Sequence, residues 1–187
     1  MGNPPLPPLR IIPGFLGVHW LGALLEEVDL AQREITIYGK QVLQPRLTAL
    51  YGSGAYRYSG QTLVAKPFPE TMQGLRERVQ ERLGVVYDIC LVNYYRDGRD
   101  GVGWHADDER EIDQTRPIAS LSFGAVRSFQ VREKGGGEIS ASSTYRLGGG
   151  DLLVMDPGMQ GGWLHSIPKT AKPVGPRLNL TFRGLVG

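Results

Sequence analysis

The sequence predicts an α+β fold, mainly β: a jelly-roll core supported by helices from the N-terminal half. Helical apolar stripes occur only early, at residues 15–28 and 70–83. From Val85 onward short β-type runs follow one another, separated by Gly and Pro clusters. The length, 187 residues, suits one domain with a sizeable core.

The elements follow in order. Residues 1–13 are Pro-rich and lack an apolar signal core, so they read as an extended lead-in. Phe15, Val18, Leu21, Leu24, Leu25 and Val28 recur at helical spacing, over a stretch too short to span a bilayer. Met72, Leu75, Val79 and Leu83 define a second helix, with Pro69 at its first position and Gly84 as its stop. Strands are expected at about 86–95, 117–123, 126–132, 143–147, 151–155, 162–167 and 177–183. Gly135-Gly136-Gly137, Gly148-Gly149-Gly150 and Pro157-Gly158 supply turns between them. Gly98, Gly101 and Gly103 lack the strand-to-helix setting of a phosphate loop and read as a turn entering the next strand.

Composition narrows the setting. The chain is 41% hydrophobic and 21% charged, as soluble globular domains are. A formal charge of +2, carried mostly by arginine, permits nucleic-acid contact without demanding it and favours bidentate binding of carboxylate or phosphate. Cys90 is the only cysteine, which excludes an internal disulfide. Its apolar neighbours predict a buried, inert thiol, and a cytoplasmic, monomeric protein without membrane attachment is expected.

The chemistry concentrates between residues 105 and 183. His105 and Asp107 are two apart, so on a strand both would face one side, and His165 would return to them through the fold. Two histidines and one carboxylate hold non-haem Fe(II) on one face and leave its other positions open. A zinc hydrolase could use the same set, so the triad alone does not fix the metal. The third histidine, His19, has no matching carboxylate and reads as a packing or surface residue.

The strand Arg177-Leu178-Asn179-Leu180-Thr181-Phe182-Arg183 alternates strictly, with Arg177, Asn179, Thr181 and Arg183 on one face. Taken alone, such a strand is most simply an edge with solvent-facing arginines. Beside a metal, it instead fits a short dicarboxylate such as 2-oxoglutarate, whose carboxylates Arg177 and Arg183 would fix. Asn93 and Tyr95 share a face of an earlier strand and would add neutral hydrogen bonds. Metal and arginine strand together point to an oxygenase; a zinc hydrolase has no use for both arginines.

Asn93-Tyr94-Tyr95-Arg96-Asp97-Gly98, Trp104-His105-Ala106-Asp107-Asp108-Glu109, Pro117-Ile118-Ala119-Ser120-Leu121-Ser122-Phe123-Gly124, His165-Ser166-Ile167-Pro168 and Pro176 to Arg183 together resemble the AlkB family of Fe(II)/2-oxoglutarate dioxygenases. Tyr38-Gly39-Lys40, Pro45-Arg46, Tyr51-Gly52 and Tyr58-Ser59-Gly60 extend the resemblance upstream, and it is strongest to the branch holding the animal DNA-repair homologues.

The resemblance implies a double-stranded β-helix and oxidative demethylation of alkylated bases (1-methyladenine and 3-methylcytosine) in DNA. Formaldehyde, succinate and CO2 would be released, with Fe(II) as cofactor and 2-oxoglutarate and O2 as cosubstrates. It implies iron on His105, Asp107 and His165, and cosubstrate on Asn93, Tyr95, Arg177, Asn179, Thr181 and Arg183. Tyr58 matches an aromatic that stacks on the flipped base, with His105 on its other face. Asp108 and Glu109 match acidic base contacts, which would favour a cationic methylated base. Lys40, Arg46 and Tyr56 match the nucleotide-recognition lid. Tyr38 falls where the duplex-repair branch carries an aromatic wedge, although a tyrosine before Gly-Lys also suits a hairpin turn. The domain would then comprise helices and lid over 14–84 and the catalytic jelly roll over 85–187. Two alternatives stay open: methylated RNA as substrate, and a nucleic-acid-binding homologue with weak catalysis.

Overall fold

The structure, a computed structural model, describes residues 6–37, 40–53, 55–58, 61–135 and 142–187; of 35–37, 55–58 and 61–63 it describes the backbone. The chain opens with β1 (Leu9–Ile12) and α1 (Trp20–Glu27). Five strands follow, β2 (Glu34–Ile37), β3 (Lys40–Leu43), β4 (Leu47–Gly52), β5 (Ala55–Tyr58) and β6 (Gln61–Val64), and then α2 (Glu70–Leu83). The second half holds β7 (Ile89–Tyr95), β8 (Val102–His105), β9 (Ile118–Gly124), β10 (Arg127–Glu133), β11 (Ser143–Leu147) and β12 (Leu152–Met155). It closes with a single turn of helix, α3 (Met159–Gly162), then β13 (Trp163–Ile167) and β14 (Arg177–Arg183).

Six strands pair antiparallel in the order β1-β12-β9-β14-β7-β4, and four in the order β11-β10-β13-β8. Period-two alternation gives the six-stranded sheet two different buried faces. One, carrying Leu121, Leu152, Leu178, Leu180 and Phe182, packs under Leu24 of α1 and Met72, Leu75 and Val79 of α2. The other, carrying Leu91, Leu153 and Met155, meets Phe129 and Val131 of the four-stranded sheet. Two facing antiparallel sheets with helices behind the larger one are the expected jelly roll. β2–β3 and β5–β6 form separate two-stranded hairpins. No helix among the described residues is long and apolar enough to cross a membrane.

Most expected elements appear within a few residues, and the differences have local causes. α2 spans the expected 70–83, but Pro69, with ψ 157°, caps the helix from outside rather than opening it. Gly84 ends it at φ 67°, its N–H bonded to Gln80 O. α1 starts at Trp20, not Phe15, because Leu16 N–H donates to Gly150 O and draws that segment onto the Gly148–Gly150 turn. Part of the lead-in is structural: β1 pairs along β12 as an edge strand, a position that tolerates flanking prolines. β1 and β4 therefore bring into the larger sheet a region expected to hold only lead-in, helices and lid. β7 starts at Ile89, since Tyr87 N–H donates to Gln80 Oε1 instead of to a strand.

Candidate metal centre and cosubstrate pocket

β13 and β8 are neighbours, and their register sets His165 opposite His105. The two rings lie 4.3 Å apart, and Phe129 of β10 stacks on His165 at 5.2 Å. Asp107 is not on the strand with His105, as the spacing had suggested. β8 ends at His105, and Asp107 sits two residues beyond, completely buried. Even so, one ligand atom from each of His105, Asp107 and His165 lies within 4.8 Å of the others.

The protonation of this cluster suits a divalent cation. The Asp107 carboxyl is held well below the usual carboxylate range: burial alone would raise it, but Arg183, His165 and His105 outweigh that. Burial, reinforced by His105, lowers His165 to about 3, so its imidazole is neutral. His165 Nδ1 is buried without a hydrogen-bond partner. His105 Nδ1 lies 2.8 Å from Gly103 O, which fixes the ring and leaves Nε2 facing Asp107 Oδ1 at 3.8 Å. One carboxylate and two imidazoles are the donors that Fe(II) takes.

β14 supplies the other wall. It is a central strand between β7 and β9, buried at every position, so the solvent-facing edge reading of its arginines does not hold. Its polar face lines the same pocket as the triad. Arg183 Nη2 donates to Asp107 Oδ1 at 2.7 Å, so the arginine expected to hold the cosubstrate also orients a residue of the triad. Arg177 is 2% exposed; its Nη2 donates to Ser122 Oγ at 2.8 Å, while Nε and Nη1 are buried without a hydrogen-bond partner. A guanidinium with two unmet buried donors is a prepared seat for a carboxylate. Tyr95 carries Arg177 over its ring at 5.4 Å, and Arg127 at 5.6 Å. Asn179 donates to Ser120 Oγ and accepts from Thr181 Oγ1, which locks the middle of the face.

The 2OG-Fe(II) oxygenase superfamily profile matches residues 8–183. The mouse protein named DNA oxidative demethylase ALKBH2 is 39% identical over 163 residues, covering 83% of this chain and 68% of that protein. The human alpha-ketoglutarate-dependent dioxygenase alkB homolog 3 is 37% identical over 184 residues, covering 92% of this chain and 64% of that one. The chain belongs to the AlkB family. It spans about two thirds of the length of these relatives. A solved structure described as that of OsALKBH1 superposes with a TM-score of 0.70 over 97% of this chain and 100% of the other; at 17% identity it speaks for the fold alone.

Within this AlkB-family oxygenase the pocket gathers every residue expected to hold metal or cosubstrate. It also takes in Arg46, expected on the lid. Arg46 is 4% exposed and its Nε donates to Asn93 Oδ1 at 2.8 Å, because the turn before β4 packs inward. Asp108 instead faces outward, paired with Lys134 Nζ at 2.6 Å. Lys40 is exposed and Glu109 half-buried. Tyr38 lies outside the described residues, as do the side chains of Tyr56 and Tyr58. Sequence reading missed Ser120 and Ser122, which the alternation Ser120-Leu121-Ser122 signals, and Phe129, whose stacking on His165 joins strands far apart in sequence.

Proposed function

We propose that this chain is an Fe(II)- and 2-oxoglutarate-dependent oxygenase that demethylates 1-methyladenine and 3-methylcytosine in DNA. The observation that carries this reading is the placement of the His105-Asp107-His165 cluster and the half-satisfied Arg177 guanidinium on the two walls of one pocket. His105, Asp107 and His165 would hold the iron, which with 2-oxoglutarate and O2 supplies an oxidant for the N-methyl carbon, giving succinate, CO2 and formaldehyde. Arg177 would take the cosubstrate's distal carboxylate through its unmet donors, with Asn93 and Tyr95 beside it. Arg183 holds Asp107 ionised and oriented. The apolar side chains of Leu91, Phe129 and Met155 keep water from the reacting centre.

The substrate follows from charge and from the relatives, one of which bears the name DNA oxidative demethylase. A base methylated at N1 of adenine or N3 of cytosine is cationic, and Asp108 and Glu109 follow directly after Asp107. Asp108 is partly neutralised by Lys134, so Glu109 is the better candidate to read that charge. The base would leave its stack to reach the metal, with Tyr58 and His105 as its platform.

The test is anaerobic loading with Fe(II) and 2-oxoglutarate, then O2, with methylated oligonucleotides in single and double strands. Demethylated base and succinate are counted by mass spectrometry. Equal amounts of both support the reading. Succinate without demethylation would remove these substrates and keep the oxygenase; neither product would remove both.

A further inference from the structure

Asp107 presents a mechanical problem that β8 does not solve. The strand stops at His105, so pairing with β13 does not fix the backbone of Asp107. Two glutamines do so instead. Gln160 Oε1 accepts the Asp107 N–H at 3.0 Å, and Gln114 Nε2 donates to the Asp107 carbonyl at 3.0 Å. With Arg183 on its carboxylate, Asp107 is held at three points: N–H, C=O and side chain.

Gln160 is the more telling of the two. It is 4% exposed, on the single turn of α3 that runs directly into β13, five residues before His165. Its Nε2 lies 3.5 Å from Met155 Sδ, a weak acceptor, so the buried amide is kept chiefly for its oxygen. The stretch that carries one metal ligand therefore also holds the backbone of another. We infer that Gln160 is a positioning residue that sets Asp107 relative to His165 and so tunes metal affinity, with Gln114 as its weaker counterpart. This rests on the metal centre proposed above.

Co(II) is the probe, since its visible absorption reports ligand geometry and it binds without turnover. The wild-type chain, Gln160→Leu, Gln160→Glu and Gln114→Leu would be titrated, and their melting temperatures taken with and without metal. Gln160→Leu should weaken Co(II) binding by about tenfold or more, the range seen when outer-shell partners of metal ligands are removed. It should also alter the absorption spectrum and shrink the metal-induced rise in melting temperature. Gln160→Glu keeps an acceptor oxygen at the same reach and should restore the wild-type spectrum. Gln114 is exposed, so Gln114→Leu folds even if the buried variant does not, and should weaken binding by about threefold, the worth of one net hydrogen bond. Wild-type Co(II) affinity and spectrum in Gln160→Leu, or in Gln114→Leu should the former not fold, would overturn the inference. A wild type that binds no Co(II) would remove the metal centre itself.

Discussion

At the scale of one residue, Arg177 sets burial against hydrogen bonding. Its guanidinium is buried and carries two unmet donors, and that burial lowers its pKa. Replacing a buried, poorly paired charge by an apolar group of similar volume is often stabilising. Arg177→Met should therefore raise the melting temperature of the ligand-free protein while raising KM for 2-oxoglutarate tenfold or more; a lower melting temperature would mean the guanidinium is already well satisfied. Asp107→Ala should abolish turnover, and full iron-dependent activity in that variant would show the triad to be misassigned. Asp100 offers a pH test. Burial would raise its carboxyl, but the hydrogen bonds from Arg96 prevail and lower it from 3.8. With the folded value below the unfolded one, its contribution is complete above about pH 5 and is lost as pH falls through the folded value. Denaturant midpoints measured from pH 6 to pH 3 should fall less steeply in Asp100→Asn than in wild type. His105 and Asp107 could be read from the sequence because they lie two apart, and distant His165 because the chain has only three histidines to complete the set. Gln160 could not, since its contact with Asp107 spans 53 positions and follows no periodicity.

At the scale of the element, β14 is legible and β8 misleading for related reasons. Strict polar–apolar alternation fixes which side chains share a face, whatever covers those faces, so the polar wall of the pocket could be read directly from Arg177 to Arg183. The same rule placed Asp107 on a strand with His105, but nothing in the spacing reveals where pairing ends. The early apolar stripe likewise could not show that Leu16 bonds to the distant Gly150. The apolar face of β14 makes a testable claim: Leu180 is fully buried, and Leu180→Ala should cost about 2–5 kcal/mol in denaturant unfolding. A loss under 1 kcal/mol would mean that the helices do not pack tightly on this sheet.

For the whole molecule, the six-stranded sheet separates two cores: one, under α1 and α2, supplies bulk stability, and the other, between the sheets, encloses the chemistry. A formal charge of only +2 limits non-specific attraction to phosphates. If no more than about four phosphates are neutralised, the affinity for single strands should fall with log salt at a slope no steeper than about −3. A steeper slope in a salt titration would reveal a larger basic track. β14 sends its apolar side chains into the core under the helices and its polar ones into the pocket between the sheets, so its seven consecutive residues are all buried. Most strands leave one side free to vary, so a saturation library read out by growth or activity usually shows tolerant and intolerant positions in alternation. Here that rhythm should vanish, leaving an unbroken block in which alternate positions fail for opposite reasons, one set through lost cosubstrate and the other through lost folding. Drift in substrate preference would then have to arise outside this strand, and the β2–β3 and β5–β6 hairpins, which belong to neither main sheet, are where the architecture leaves it room.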